Sequence, residues 1–393
     1  MKKMIGFYCE NYVAGGVESV LLNTINSKAF DDLPIMLIYN RSNNYLHQIG
    51  NSLKQKIIPK PITLICSKTL SRTLPINNKI QKITEVLLRD FLCILSVPYF
   101  IYLLKKNKIN KLIIHNGGYP GAHSSIACGM AFYFLTGRKP VHVIHNFPTR
   151  IKFYSIVFDY IYDFLVERYF TNITVSKSAS EKLLQVRNIN SQTIYNGVEI
   201  KVDDKKDLRT DQLNLVSVAR LDPEKGHKVL LKAIKDLKEI HNIKFNLKIY
   251  GKGSFNYTED LKHLCNCYGI KEQVSFKGFQ KNKDIIYQSG DILVFPSLSD
   301  ESFPMAILES LAYSTPVIAT DVGGIREIFS IYNERLLIKP NNSNELVEVL
   351  LYFINLTNEQ RNNLCIKGKE LIIKYFSKAR MGEKYLASLS DNY

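Results

Sequence analysis

The sequence lacks the patterns that usually indicate a bound metal, a disulfide framework or a dinucleotide site. Its seven cysteines are scattered along 393 residues without a Cys-x-x-Cys pair, and the group His263, Cys265 and Cys267 does not have a standard zinc spacing. No Gly-x-Gly-x-x-Gly follows a predicted strand, and no Asp-x-Asp stands at a strand end. We therefore expect no metal and no cofactor, and reduced, mostly buried thiols in a reducing, cytoplasmic compartment.

Long apolar runs are also missing. The run Met4–Cys9 is too short for a secretory signal and suits a first buried strand. The longest mainly apolar run, Phe91–Leu104, has 14 residues and includes Ser96 and Pro98. A membrane-spanning helix needs ~20 residues. The sequence therefore predicts a buried or interfacial helix in this region, followed by a pair of lysines.

Acidic residues are scarce in the first half of the chain. Residues 1–200 contain 24 Lys/Arg and 11 Asp/Glu, whereas residues 201–393 contain 28 and 25. Within 50–112 there are 12 basic and 2 acidic residues. This asymmetry favours an anionic partner such as a lipid surface or a nucleic acid, although a lysine-rich surface without any partner gives the same counts. A nucleic acid is not the expected partner, because the sequence contains no recognition module and no interleaved aromatic motif.

Short apolar segments alternate with longer amphipathic segments along both halves of the chain. The first predicted strands are Met4–Cys9, Pro34–Tyr39 and Lys111–His115. Continuous apolar strands separated by helices are typical of a parallel sheet covered on both faces. The polar segment Val198–Gln212 resembles a linker, and the alternation restarts after it with the predicted strand Leu213–Ala219.

The length of the chain predicts more than one domain, because single cores usually stop growing at ~250–300 residues. We predict an α/β fold of two tandem, doubly wound domains with a cleft between them. The predicted domains are 1–200 and 208–375, with a terminal helical segment at 376–393. Since ligands of open α/β sheets bind beyond the carboxyl ends of the strands, the functional residues are expected in the loops that follow strands.

Glycine pairs occur in two such loops. Gly15 and Gly16 follow the first predicted strand and open a helix, and Gly323 and Gly324 stand between a later strand and helix. Backbone amides of a glycine pair can approach an anion at the positive end of a helix. Each pair is a candidate phosphate site, and a tight turn between strand and helix is the alternative interpretation.

Two cations follow the first strand of the second half. Arg220 stands at the carboxyl end of the strand, and Lys225 lies five residues later, just before a helix. A diphosphate carries dense negative charge and needs several donors, which Arg and Lys can supply. The alternative is a solvated loop with surface ion pairs.

The segment 296–309 contains two glutamates in different settings. Glu301 lies in a polar loop after the predicted strand Ile292–Phe295, and Glu309 lies inside the helix that begins near Pro304. Carboxylates that accept hydrogen bonds from neighbouring hydroxyls are natural ligands for a sugar or a ribose, whereas a capping carboxylate and a surface glutamate are the alternative. In the first half, His145 closes the predicted strand Val141–His145 at the edge where ligands are expected, although a lone histidine is more often structural.

These residues, in this order, resemble the retaining glycosyltransferases of family 4, which have the GT-B fold, in particular those of bacterial surface-polysaccharide synthesis. The resemblance covers nearly the whole chain, and its core is the Glu-x7-Glu motif preceded by the Arg/Lys pair. The matching segments are Gly15-Gly16 with Glu18, His145-Asn146, Val175-Ser176-Lys177, Tyr195-Asn196-Gly197-Val198, Ala219-Arg220-Leu221 with Lys225-Gly226, and Glu301-Ser302-Phe303-Pro304 through Glu309. Ser302 stands where many members have glycine.

The resemblance implies a role for each site residue. Arg220 and Lys225 would bind the donor diphosphate, and Glu309 would hold the ribose hydroxyls. Glu301 and the backbone of Phe303, Pro304 and Met305 would meet the transferred sugar. From the first domain, the Gly15-Gly16 pair would offer the Gly16 amide to the phosphate, and His145 would contact the sugar near the reacting carbon. The family's terminal helices return to the first domain, which fits 376–393.

The implied activity is metal-independent transfer, with retention, of a hexose or N-acetylhexosamine from a nucleotide-diphosphate sugar. UDP is the expected nucleotide, and the first domain would bind the acceptor while the second binds the donor. The acceptor would be a glycan, in many members lipid-linked, in O-antigen, capsule or lipopolysaccharide synthesis. Attachment to the inner face of the cytoplasmic membrane, through the basic region 50–112 and the helix at Phe91–Leu104, is a further expectation. A nucleotide-sugar epimerase of the same fold and a nucleic-acid-binding protein are the alternatives.

Overall fold

The structure is a computed structural model that describes residues 4–10, 15–41, 46, 56–64, 78–151, 155–201 and 212–390. Contacts between residues divide the chain into two compact units. Unit 1 comprises Met1–Tyr195 together with Ala379–Tyr393, and unit 2 comprises Asn196–Lys378. Most of the predicted linker, residues 202–211, lies outside the described residues.

Unit 1 is built from alternating strands and helices. Its described strands are β1 Met4–Cys9, β2 Ile35–Asn40, β3 Ile57–Ile62, β4 Ile109–Asn116, β5 Val141–Ile144, β6 Thr171–Thr174 and β7 Gln192–Thr193. Its described helices are α1 Gly16–Ile25, α2 Asn78–Lys106, α3 His123–Thr136, α4 Ile156–Tyr169 and α5 Lys177–Arg187, and the terminal helix Lys378–Ser388, numbered α13 below, ends the chain.

The strands of unit 1 form one parallel sheet in the order β3-β2-β1-β4-β5-β6-β7. Strands β1, β2 and β5 are mainly apolar and almost entirely buried, as expected for a parallel sheet with helices on both faces. The order reverses between β1 and β4, so a crevice opens at the carboxyl ends of these two strands. Gly15 and Gly16 follow β1 at this edge.

Unit 2 repeats the same plan. Its described strands are β8 Leu213–Val218, β9 Phe245–Tyr250, β10 Val274–Gly278, β11 Ile292–Phe295, β12 Val317–Thr320 and β13 Leu337–Ile338. Its described helices are α6 His227–Glu239, α7 Phe255–Cys267, α8 Lys283–Tyr287, α9 Met305–Ala312, α10 Ile325–Tyr332, α11 Ser343–Ile354 and α12 Asn358–Tyr375. The sheet order is β10-β9-β8-β11-β12-β13, all parallel, with the reversal between β8 and β11.

The predicted α/β class and the doubly wound character of both halves are therefore confirmed. One strand was missed, β3, which pairs with β2 along its full length. Its sequence contains Pro59 and Pro61, and proline argues against a central strand because it cannot donate to the ladder. The structure places β3 at the edge of the sheet, where proline is tolerated.

The terminal helix α13 packs within unit 1. Met381 and Tyr385 are buried, and the Thr24 hydroxyl of α1 contacts the Met381 sulfur at 3.9 Å. Val198 pairs with Ser377 in an isolated parallel bridge. Val198 is near the start of unit 2 and Ser377 near its end, so the first and last segments of unit 2 lie side by side. Of the cysteines in the described residues, the buried ones are Cys9, Cys93, Cys128 and Cys265.

Candidate active site

The loops that follow β8 and β11 are joined to each other at the reversal point of the unit 2 sheet. The Leu298 amide donates to the Glu224 carbonyl at 2.7 Å. Gly226 has a φ of +70°, and a Cβ at this position would collide with the Pro296 carbonyl oxygen. Only glycine adopts this conformation without strain and allows the close approach. The two loops therefore hold their polar side chains at one place on the sheet edge.

Lys225 and Glu301 form an ion pair between these two loops. The Lys225 Nζ lies 2.6 Å from the Glu301 Oε1, and the Ser297 hydroxyl donates to the same oxygen at 2.7 Å. The side chains of Lys225 and Glu301 are only 16% and 14% exposed. Charge-assisted hydrogen bonds between such shielded groups are stronger than surface ion pairs, so this cation and this carboxylate are fixed in position.

The backbone of the Glu301 loop is fixed by the second glycine pair. The Gly324 amide donates to the Glu301 carbonyl at 2.7 Å. This amide therefore supports the loop, and the prediction of a second phosphate site at Gly323 and Gly324 does not hold for Gly324. Sequence alone could not reveal this, because the donor and the acceptor come from loops after different strands.

Glu309 lies on α9 and is held by two residues of α8. The Lys283 Nζ lies 2.5 Å from the Glu309 Oε1, and the Tyr287 hydroxyl donates to the Glu309 Oε2 at 2.8 Å. Burial, followed by the negative charge of Glu309, raises the pKa of Tyr287 well above its usual value, so the phenol remains a donor. Both partners were missed by the sequence analysis, although they are four residues apart and thus share one face of α8.

Arg220 occupies a more open position than Lys225. Its guanidinium pairs with Asp222 at 2.9 Å, and its side chain is 59% exposed. In this structure, the pairing of Arg220 with Asp222, a neighbour in the same loop, agrees with the alternative prediction of a solvated loop with surface ion pairs. The side chain is also long and mobile enough to reach an anion that enters this edge of the sheet.

The residues between the two glutamates anchor the start of α9. The Phe303 carbonyl accepts a hydrogen bond from the Asn196 side chain at 2.9 Å, and the Phe303 ring packs edge-on against Phe376 with centroids 5.2 Å apart. Pro304 has extended backbone and directly precedes the helix, which begins at Met305. Pro304 is thus one position earlier than the first helical turn in which we expected it.

In unit 1 the glycine pair stands at the start of α1. The Gly15 amide donates to the Glu18 Oε2 at 2.9 Å, and Glu18 is fully buried. A carboxylate in the first turn satisfies an amide that the helix itself leaves without a partner. Gly15 therefore serves the helix end, and Gly16 is the first helical residue.

His145 follows β5 directly and is paired with a second buried histidine. Its Nε2 lies 2.9 Å from the Nδ1 of His115 on the adjacent strand β4. Burial, with a contribution from His142, lowers the pKa of His145 to about 3, so the ring is neutral at pH 7. His115 was missed, since its role depends on the adjacency of β4 and β5 in the sheet.

The buried histidines of unit 1 should make stability depend on pH. Burial lowers the pKa of His142 to about 4, whereas a histidine in the unfolded chain has a pKa of ~6.5. The unfolded state therefore binds protons first, and stability is full above pH ~6.5 and falls as the pH falls. For His142 and His145 we expect a loss of about 1 kcal/mol each between pH 7.5 and ~5.5. Calorimetry of the His142→Gln variant should show a smaller loss, and the exposed-site control His241→Gln should match the wild type. If His142→Gln and His241→Gln lose the same free energy of unfolding over this pH range, the prediction is wrong.

Among the described residues, no group of three or more His, Cys, Asp or Glu side chains could hold a metal ion. The Cys267 sulfur lies 3.6 Å from the His263 Nδ1, whereas Cys265 is buried.

The family model and the named relatives that this chain resembles in sequence are described as glycosyltransferases. Residues 199–371 match the family described as glycosyl transferases group 1. An uncharacterized glycosyltransferase of Methanocaldococcus jannaschii is 32% identical over 304 residues, which are 74% of this chain and 81% of that protein. Several other curated relatives are matched over about half of their length.

One of these is the N-acetylgalactosamine-N,N'-diacetylbacillosaminyl-diphospho-undecaprenol 4-alpha-N-acetylgalactosaminyltransferase of Campylobacter jejuni, 28% identical over 51% of this chain and 54% of the relative. Anabaena Alr3699/HepE, solved in complex with UDP-glucose, superimposes with a TM-score of 0.74 at 17% identity over 99% of each chain. Structural neighbours of this kind confirm the predicted GT-B fold of two parallel-sheet α/β units. With its matching family segment, its archaeal relative and its fold, the chain belongs to group 1 of the glycosyl transferases and is related to enzymes of polysaccharide biosynthesis.

Proposed function

We propose that this protein is a retaining family 4 glycosyltransferase that moves a hexose or N-acetylhexosamine from a UDP-sugar to a hydroxyl of a lipid-linked glycan. The observation that carries the proposal is the shielded Lys225–Glu301 ion pair at the reversal point of the unit 2 sheet. It combines a cation suited to a diphosphate with a carboxylate suited to sugar hydroxyls at the edge where ligands of such sheets bind.

Cleavage of the sugar–phosphate bond places negative charge on the departing diphosphate. In the proposed reaction, Lys225 and Arg220 stabilise this charge, and the Gly16 amide adds a donor from unit 1. Preorganised donors of this kind contribute about 10²–10³ in rate each and take over the task that a metal performs in other enzymes. The departing diphosphate accepts the proton of the acceptor hydroxyl, and no protein nucleophile is assigned.

The two glutamates have separate tasks in this proposal. Glu301 and the backbone of residues 303–305 contact the transferred sugar, while Glu309 accepts hydrogen bonds from the ribose hydroxyls. Lys283 and Tyr287 support the second task, because they hold the Glu309 carboxylate in one orientation before the donor arrives. His145 contacts the sugar as a neutral ring, which can donate one hydrogen bond without placing a positive charge near the anomeric carbon.

The nature of the substrates is supported by the relatives. The name of the Campylobacter relative specifies an acceptor on diphospho-undecaprenol, and that of a structural neighbour specifies UDP-glucose. We accordingly propose a UDP-sugar donor, a lipid-linked acceptor on the cytoplasmic side of the membrane, and a place in O-antigen, capsule or lipopolysaccharide synthesis.

A donor panel tests this proposal. We expect one UDP-sugar, among UDP-, GDP- and dTDP-sugars, to raise the unfolding temperature of the full chain. A ligand at a hundred times its dissociation constant adds about 2.7 kcal/mol to the free energy of unfolding. Product analysis should then show sugar transfer only when an acceptor is present, with unchanged anomeric configuration. Conversion of the donor without an acceptor would indicate an epimerase, and nucleic-acid binding without any sugar-nucleotide effect would overturn the proposal.

A further inference from the structure

Helix α2 exposes an apolar face along most of its length. Phe91 and Ile94 are 59% and 60% exposed, and exposed apolar side chains recur three or four residues apart on the same face. The exposed residues of this face are Ile83, Leu87, Phe91, Ile94, Leu95, Tyr99 and Tyr102. The buried side of the helix carries Asp90 together with the apolar residues Cys93, Phe100, Leu103 and Leu104. A surface helix of a soluble protein normally exposes polar side chains opposite its buried apolar stripe, whereas α2 is apolar on both sides.

Helix α4 also exposes an apolar face. Its two aspartates, Asp159 and Asp163, point inward to the buried guanidinium of Arg187, at 3.7 and 3.3 Å. Its exposed apolar residues are Ile156, Val157, Tyr160, Ile161 and Phe164. Together with the exposed residues of α2 they are called the two-helix apolar surface below.

The two helices are neighbours. The Tyr162 hydroxyl of α4 donates to the Asp90 Oδ1 of α2 at 3.2 Å. The residues next in sequence to this hydrogen bond, Ile161 and Phe91, are both exposed, and both helices pack on α3. Monomeric soluble proteins rarely expose an apolar patch as long as that of α2 without a function.

Cations border this surface, and exposed acids do not. Exposed basic residues stand at the helix ends, namely Lys105, Lys106, Lys108, Arg150 and Arg168. In the described parts of 83–112 and 150–170, each acidic side chain is buried or half-buried. An apolar centre with tyrosines and a cationic rim is complementary to a bilayer with anionic headgroups. A second copy of the chain would bring the same cations together across a symmetric interface, which is unfavourable.

The helix α2 does not need to cross the bilayer for this contact. By length and composition, its segment Ile83–Lys106 could cross a membrane. This segment is longer than the apolar run 91–104, which the sequence analysis judged too short for a membrane-spanning helix. One of its faces, however, packs in the core of unit 1, where Phe100, Leu103 and Leu104 are buried with Cys93. A crossing would remove this face from the core and place Asp90 in hydrocarbon.

We propose that the two-helix apolar surface is a monotopic membrane-binding site, on which α2 and α4 lie parallel to an anionic lipid surface. The contact stands independently of the transfer reaction proposed above, because no residue of the two-helix apolar surface has a part in the proposed donor binding. Its apolar part supplies most of the affinity, and the lysines at the end of α2 supply the dependence on anionic lipid.

Vesicle flotation of the full chain tests this inference. The wild type should float with vesicles of phosphatidylcholine and phosphatidylglycerol, more weakly with phosphatidylcholine alone and at raised salt. The variant Ile94→Gln/Ile161→Gln should lower the partition coefficient at least about tenfold, and Phe91→Gln/Phe164→Gln should lower it further. The charge variant Lys105→Gln/Lys106→Gln should lower it about fivefold per lysine, only on vesicles with phosphatidylglycerol.

The matched control is Ile366→Gln/Ile373→Gln, which replaces two comparably exposed isoleucines on α12 in unit 2. It should float like the wild type. All of the replaced side chains are exposed, so the unfolding temperature and the thermal shift with donor should be unchanged, which separates loss of membrane binding from misfolding and from failure of the donor site. A wild type that stays in solution would overturn the inference. So would an equal loss in the control, or self-association that the surface variants abolish without any partition to vesicles.

Discussion

Lys225→Ala is expected to lower kcat by about 10²–10³, with a small effect on the KM of the donor. The removed ammonium lies in a shielded position between two fixed loops, where its charge acts on the departing diphosphate more strongly than in water. The effect should fall on kcat, because the negative charge that Lys225 stabilises grows as the bond breaks. Steady-state kinetics with the UDP-sugar and acceptor identified by the panel measure it.

Two further variants separate catalysis from structure. Lys225→Ala leaves the carboxylate of Glu301 without its cation, so part of its effect is destabilisation. The double variant Lys225→Ala/Glu301→Gln should recover the unfolding temperature without recovering kcat. As a matched control, Lys235→Ala removes a lysine whose ion pair with Glu239 on α6 is partly exposed, at 34% and 53%, and its kinetics should be those of the wild type. Wild-type turnover in Lys225→Ala would refute the assignment.

Glu309→Gln is expected to lower kcat/KM by about 10²–10³, mainly through a higher KM for the donor. Hydrogen bonds from two hydroxyls to one carboxylate contribute about 1.5–3 kcal/mol each, and the neutral amide forms weaker ones. Glutamine also loses the ion pair with Lys283, so the side chain is less well oriented. The exposed Glu348→Gln in the same unit is the control and should not change the kinetics.

A ribose analogue shows whether Glu309 acts through the hydroxyls. A donor that lacks the 2′- and 3′-hydroxyls should react poorly with the wild type, and Glu309→Gln should add little to this loss. Non-additivity of this kind is the signature of two groups that contact each other. If the two losses simply add, Glu309 does not bind the ribose and the proposed division of tasks between Glu301 and Glu309 is wrong.

Much of the fold could be predicted from local sequence. The apolar runs of β1 and β11 predict their strands to the residue, because strands of a two-sided parallel sheet are mostly apolar. In such a sheet, ligands bind where the strand order reverses, which is at the loops after β8 and β11. The edge strand β3 escaped prediction because its prolines are acceptable only in a position that the sequence does not reveal.

The main residues of the site could be predicted from the sequence, but most of the contacts between them could not. Lys225 and Glu301 are 76 positions apart, and their ion pair depends on the adjacency of β8 and β11 in the sheet. The supporting residues His115, Ser297, Lys283 and Tyr287 have no motif of their own. Their roles follow from the partner to which the fold brings them.

The amino-acid sequence by itself determined the alternation of strands and helices, the excess of cations in the first half and the types of residue that end the strands. These properties are local, since each depends on a residue and its near neighbours. Tertiary structure decided which side chains meet, such as His115 with His145, and which faces of α2 and α4 point outward. Both helices contain more apolar residues than one buried side needs, and only packing in unit 1, such as that of the α4 aspartates against Arg187, decides which apolar side chains are left outside.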